Sequence, residues 1–179
     1  MYKLPKVNQS SRKFIFGKLE TRKFIVSDYL YLAGYLIGVI LYAFASKYEP
    51  RNIFAISFTV SIICGGQTIS SPFGLRFRNV YFSILWLMLS LIFLIGNYFT
   101  ALIPLLTFIL YHIIRMIFWK KNKREFIPYE TGKGQMYRYK SYFEGRYGDL
   151  KDKGYTKILL GIGILIILLC FIQTIGLKV

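Results

Sequence analysis

The sequence predicts an all-α, polytopic membrane protein with about five transmembrane helices, and two observations carry this prediction. Residues 80–119 contain no acidic side chain and a single Lys or Arg, Arg115. A spanning helix needs about 20 apolar residues, so this segment predicts two spans joined by a tight turn. Apolar residues make up 55% of the 179-residue chain and fall in unbroken blocks, as in membrane proteins.

Three further apolar blocks complete the predicted set, at residues 29–45, 53–71 and 158–176. The first also resembles a signal peptide, because Ala43-Phe44-Ala45 fits a signal-peptidase site. Its basic lead-in of 28 residues is long for that role, and its tyrosines are unusual there. We therefore expect a retained span.

The distribution of basic residues predicts a cytoplasmic N-terminus and an extracytoplasmic C-terminus. With five spans, about 21 Lys and Arg residues lie in inner segments and about 3 in outer ones, a strong positive-inside bias. The chain then divides into a basic, aromatic cytoplasmic segment (1–28), a four-helix transmembrane region (29–119), a basic Tyr/Gly-rich cytoplasmic loop (120–156) and a C-terminal transmembrane helix (157–179). The abundance of Lys, Ile, Phe and Tyr is typical of a low-GC bacterium or of an organelle, and a bacterial inner membrane is the expected location.

The second span ends in a polar half. In hydrocarbon, polar side chains need hydrogen-bond partners, so this half is expected to face other helices or a watery cavity. A continuous helix packed on the two spans of residues 80–119 is the simpler interpretation, and a broken, re-entrant half is the other. His112 and Arg115 share a face of the fourth span, either lining a path or contacting a neighbouring helix and the interface. The candidate pore or helix-contact residues are Gly65, Gly66, Gln67, Thr68, Ser70, Ser71, His112 and Arg115.

Small residues predict close helix packing in two other spans. Gly34 and Gly38 form a G-x-x-x-G pattern in the first span, and Gly161 and Gly163 lie near the start of the last. Asp28 precedes the first span, where a carboxylate suits a helix N-terminus, and is predicted to cap it.

The basic segments are the predicted docking surfaces. Several glycines argue against one continuous helix in the loop, although a short amphipathic helix fits residues 135–144. Lys133 lies between two glycines and indicates a turn, because the phosphate-loop spacing is absent. Residues 14–26 fit either a short hairpin or an interfacial helix. The candidate residues for docking a partner or lipid are Arg124, Lys133, Arg138, Lys140, Arg146 and Lys151.

Catalytic and metal-binding chemistry has little support in the sequence. There is one histidine, and Cys64 and Cys170 lie apart inside apolar segments, so no enzyme activity, metal or cofactor is expected. The leading hypothesis is a non-enzymatic subunit or scaffold of a secretion, conjugation, defence or envelope assembly. It would bind anionic lipid headgroups and protein partners, or self-associate, rather than bind nucleic acid. The alternatives are a small oligomeric channel or transporter, with a path along the polar half of the second span and His112/Arg115, and an immunity protein.

Overall fold

The computed structural model describes residues 13–15, 19–48, 53–96, 98–141 and 144–176, and most of this chain is helical. The five α-helices are α1 (Val26–Tyr48), α2 (Ile53–Ser70), α3 (Val80–Phe93), α4 (Ile103–Asn122) and α5 (Leu150–Gly176). Among the described residues, one 3-10 helix (Pro72–Arg78) connects α2 to α3, and two more (Leu94–Gly96 and Phe99–Leu102) lie between α3 and α4. Four short strands form two hairpins: β1 (Lys13–Ile15) with β2 (Leu19–Thr21), and β3 (Glu130–Gly132) with β4 (Gln135–Tyr137).

Within the described residues, four helical segments are long and apolar enough to cross a membrane: Val26–Tyr48, Ile53–Ser70, Phe99–Asn122 and Leu150–Gly176. This is consistent with an integral multi-pass membrane protein, as the sequence predicts. The other predicted span, α3, is an apolar helix of 14 residues. At 1.5 Å per residue it is about 21 Å long, and the Leu94–Gly96 turn continues it.

Successive helices run in opposite directions, so their ends gather at two poles of the bundle. At one pole, here called the polar end, α1, α3 and α5 begin and α2 and α4 end; ion pairs join these elements. At the opposite pole, the Ser57 and Thr100 hydroxyls are 2.8 Å apart, and Thr174 Oγ1 accepts the Thr100 N–H at 3.1 Å. Helix α2 lies centrally and packs against α1, α4 and α5.

Aromatic side chains fill the core between α1, α3 and α4. Phe77 and Phe82 are wholly buried, and the Trp86 ring lies 4.5 Å from that of Tyr35 and 5.5 Å from that of Phe77, centroid to centroid. The outward faces of α1, α3 and α5 instead expose apolar side chains, among them Ile37, Ile40, Met88, Leu91, Leu168 and Ile172. Such continuous apolar surface is suited to lipid rather than to water.

The two hairpins decide three sequence predictions. Strands β1 and β2 pair antiparallel, so the first hairpin is formed rather than an interfacial helix. Lys133 and Gly134 both have positive φ (50° and 72°), the geometry of a two-residue type I′ turn, and this confirms the turn. The amphipathic helix over 135–144 is wrong, because Gln135–Tyr137 pairs with β3 and Lys140 bridges to Tyr147; residues 142 and 143 lie outside the described chain.

Helix α5 begins at Leu150, two turns before the apolar block that starts at residue 158. Asp149 Oδ1 accepts the N–H groups of Lys151 and Asp152 at 2.9 and 3.1 Å, and Asp152 Oδ2 accepts the Asp149 N–H at 3.0 Å. This reciprocal arrangement is a capping box with aspartate at both positions. It extends the helix into polar sequence at the polar end.

Candidate functional site

The most distinctive feature of the polar end is a set of arginine–carboxylate ion pairs, here called the arginine network. Six arginines meet six carboxylates in it, and every ion pair found among the described residues belongs to it. Its members are Arg22, Arg76, Arg78, Arg115, Arg124 and Arg146 with Glu20, Asp28, Glu125, Glu144, Asp149 and Asp152. The network joins the first hairpin, through Glu20, and the loop after α4, through Glu125 and Glu144, to the ends of the helices.

Arg78 lies at the centre of the network, with only 4% of its side chain exposed. It pairs with Glu20 of β2, with Glu144 at 2.7 Å and with Glu125 at 3.9 Å. Burial alone would lower the pKa of Arg78, but the three carboxylates raise it above its ordinary value, so the guanidinium stays charged. One side chain therefore connects the N-terminal hairpin, the α2–α3 connection and the loop after α4.

Arg115 and Glu125 form a buried, bidentate pair. Arg115 Nε donates to Glu125 Oε1 at 2.6 Å, and Nη2 donates to Oε2 at 3.0 Å. Lys123, at the C-terminus of α4, has the left-handed conformation that ends many helices and turns Glu125 back towards Arg115. Arg115 is thus paired inside the protein and does not extend into the membrane interface.

His112 does not join Arg115 in a polar pair. Its ring packs edge-on against Phe108, with centroids 4.6 Å apart, and lies 6.0 Å from the ring of Phe77. The two residues that the sequence assigns to one possible path therefore have different surroundings, one aromatic and one ionic.

Asp28 has a larger role than the predicted helix cap. It lies in the first turn of α1, wholly buried, and Oδ2 accepts the Ile25 N–H at 3.1 Å. The same carboxylate pairs with Arg22 at 2.8 Å and with Arg76. It therefore ties α1 to the segment after β2 and to the α2–α3 connection.

Asp152 anchors the loop to α5. Its buried carboxylate accepts from Arg124 at 3.0 Å, from Arg146 at 3.1 Å and from the Ile127 N–H at 2.9 Å. Arg124 also pairs with Asp149 at 2.5 Å; burial alone would raise the pKa of Asp149, but this guanidinium holds it below its ordinary value. Arg124 and Arg146, predicted as docking cations, are thus already engaged by carboxylates of the same chain.

The other predicted docking cations are exposed. Lys133 lies at the tip of the β3–β4 turn, and Lys140 lies over the Tyr147 ring, 5.6 Å from its centroid. Together with cations at the end of α4 they form a set here called the outer cations: Lys120, Lys121, Lys123, Lys133, Arg138, Lys140 and Lys151. Among the described acids, only Glu130 lies outside the arginine network, so little negative charge remains to balance them.

The polar half of α2 is a continuous helix, as the simpler interpretation predicts. Thr68, Ser70 and Ser71 donate to the carbonyls of Cys64, Gly66 and Gln67 at 2.6–2.9 Å, so their hydroxyl groups are satisfied within the segment. Gly65 faces the start of α4, where an added Cβ would come within 2.5 Å of Ile103. Gly66 has nothing within 4 Å of that position, and Gln67 is half-buried.

One glycine of each predicted packing pair lies at a helix contact. An added Cβ would lie 3.0 Å from Val60 at Gly38 and 2.5 Å from Ile69 at Gly163, both on α2. At Gly34 and Gly161 it would meet nothing within 4 Å. The closest approach among the described glycines, that of Gly74 to the Tyr111 ring, lies outside the predicted spans and was missed.

The described chain is mostly helical, its four long apolar helices are consistent with an integral multi-pass membrane protein, and the arginine network joins the elements of its polar end. Both cysteines are buried free thiols, and no cluster of metal-ligating side chains occurs in the described ranges. The chain matches no family model, no curated protein and no solved structure. Its function is therefore inferred from the geometry of its own residues.

Proposed function

We propose that the protein is a non-enzymatic, multi-pass membrane subunit that docks cytoplasmic partners through its basic polar end. In this proposal five helices span the membrane, with the N-terminus inside and the C-terminus outside. The positive-inside bias supports this orientation, since about 21 of the Lys and Arg residues lie in sequence segments that it assigns to the inner side, against about 3 in outer segments. The shorter α3 runs between the same two poles as the four longer helices.

The observation that carries the proposal is that most of the described arginines are paired with acidic residues, whereas most of the described lysines are exposed at the surface. The arginine network consumes six of the eight acidic residues, while the outer cations remain exposed. A surface of one sign steers and orients a partner of opposite sign. Because buried ion pairs fix the loop to the helices, this surface is also preorganised, which lowers the entropic cost of binding.

The docking test neutralises four outer cations together: Lys133→Gln, Arg138→Gln, Lys140→Gln and Lys151→Gln. Tagged protein is captured in mild detergent and its complexes are sized by native mass spectrometry. We expect at least a tenfold loss of captured acidic partner, because each removed charge weakens the encounter.

The matched control is Lys47→Gln, an exposed lysine at the opposite pole, which should leave capture unchanged. The melting temperature of both variants should equal that of the wild type, since none of the substituted residues belongs to the arginine network. A homo-oligomer without other subunits, or unchanged capture by the fourfold variant, would contradict the docking proposal.

A channel or transporter formed by an oligomer is the second candidate. It is favoured by Ser61, whose wholly buried hydroxyl has no hydrogen-bond partner among the described residues. A buried hydroxyl without a partner is costly, so a water-filled space beside α2 would satisfy it. Ion flux into liposomes that falls on Gln67→Ala or His112→Ala would favour this candidate over docking.

A further inference from the structure

A groove of about 650 Å³ opens at the polar end, between the segment that follows β2, the start of α1 and the start of α3. Its floor contains Ile84 and Leu85, which belong to the outward apolar face of α3 and are about half exposed. Phe24 lies on its inner side, with its ring 5.3 Å from that of Tyr29 and 6.4 Å from that of Phe82. The volume is in the range of sites for small ligands.

The rim of the groove is polar and basic. Lys23 is exposed there, and Arg22 is held at 2.8 Å by Asp28. Asp28 is shared by two guanidinium groups, those of Arg22 and Arg76, so this cluster keeps one excess positive charge beside the groove. The positive charge of this cluster complements the negative charge of a phosphate group.

Two exposed tyrosines, Tyr29 and Tyr81, also lie on the rim, at the first turns of α1 and α3. Tyrosine favours the membrane–water interface, where its ring contacts acyl chains and its hydroxyl reaches polar groups. Since α1 and α3 both begin at this level, the rim lies at the depth of headgroups and the floor at the depth of acyl chains. The groove thus changes from cationic to apolar in the same direction as a lipid changes from headgroup to tail.

We infer that this groove binds an anionic phospholipid. The phosphate contacts Lys23 and the tyrosine hydroxyls, and one acyl chain lies on Ile84 and Leu85. The inference rests on the orientation in the proposed function, because the polar end then faces the cytoplasmic leaflet, which carries anionic lipids. It adds a defined lipid site to a surface that is otherwise proposed to dock proteins.

The N-terminal residues of the chain do not suit the groove by charge. Residues 1–12 contain Lys3, Lys6 and Arg12 and no acidic side chain, so they would be repelled by Lys23 and the Asp28 cluster. An apolar protein segment would cover the floor but leave the cationic rim unmatched. An anionic lipid matches both.

The test compares lipid retention by the purified full chain in native mass spectrometry. Phosphatidylglycerol and phosphatidylcholine with the same acyl chains are offered in equal amounts. The wild type should retain phosphatidylglycerol preferentially. Lys23→Gln should reduce this preference about fivefold, the effect of one lysine at an anionic surface. Leu85→Trp, which fills the floor, should reduce retention of both lipids.

Two matched controls separate the groove from general effects. Leu168→Trp adds the same ring to the outward face of α5, away from the groove, and Lys133→Gln removes a distant exposed cation. Both should retain lipid as the wild type does. Equal retention of the two lipids by the wild type, or unchanged retention by Leu85→Trp, would overturn the inference. No protein partner is present in this measurement. A negative lipid result would therefore not contradict the docking proposal, and a negative capture result would not change the lipid result.

Discussion

Arg78→Met is expected to lower the free energy of unfolding by about 3–5 kcal/mol, the usual cost of breaking a buried ion pair by removing one partner. Methionine keeps much of the apolar stem but leaves Glu20 and Glu125, both almost wholly buried, without this counter-charge. The measurement is reversible unfolding in mild detergent, or the shift of the melting temperature. Partial proteolysis should also show earlier cleavage in the loop after α4.

Arg138→Met is the matched control for Arg78→Met. Arg138 follows β4 and is exposed, so the same substitution there should change stability by no more than about 0.5 kcal/mol. Equal losses at the two positions would show that the arginine network does not hold the polar end together.

Gly74→Ala should cost up to about 3 kcal/mol, the upper end of the usual range for overpacking. Gly74 lies in the 3-10 helix Pro72–Arg78, and an added Cβ would overlap three atoms of the Tyr111 ring. That ring is wholly buried between aromatic neighbours and cannot move aside without opening the core. The same unfolding measurement applies.

Gly34→Ala provides the comparison for Gly74→Ala, because its added methyl group would meet nothing within 4 Å. Alanine favours helix over glycine, so this change should be neutral or slightly stabilising. A larger loss at Gly34 than at Gly74 would contradict the packing described for the α2–α3 connection.

Hydropathy predicts the bounds of a helix well where the helix is apolar along its whole length. The second span, predicted at residues 53–71, is observed at Ile53–Ser70, and the turn at Lys133 follows from its two flanking glycines. The start of α5 was missed because its first residues are polar and glycine-containing. Only the cap formed by Asp149 and Asp152 shows that the helix begins there.

The arginine network was not predicted because most of its pairs join residues far apart in sequence. Arg78 and Glu20 are 58 residues apart, and Arg78 and Glu144 are 66 apart. The composition did contain a signal. With 24 basic and 8 acidic residues, each acid has many cations available to pair with, and an arginine near a span needs a partner. That signal predicts that acids are paired, but the choice of partner depends on which helix ends meet.

The ion pairs use arginine in every case found in the described ranges, while the exposed cations are mostly lysine. A guanidinium presents a planar fork of donors that suits buried carboxylates, whereas an ammonium group is strongly hydrated. Counting Lys and Arg together therefore predicts topology well but hides which cations are available for docking. Separating them would have moved Arg124 and Arg146 out of the docking set, although it would also have removed Arg138, which is exposed.

Both proposals require the polar end to face the cytoplasm, and single-cysteine labelling tests this most directly. In a Cys64→Ala, Cys170→Ala background, Lys47→Cys and Lys133→Cys place thiols at the two poles. A membrane-impermeant maleimide should label Lys47→Cys in intact cells and Lys133→Cys only in inverted vesicles. Labelling of Lys133→Cys in intact cells, or of both positions from the same side, would contradict the account.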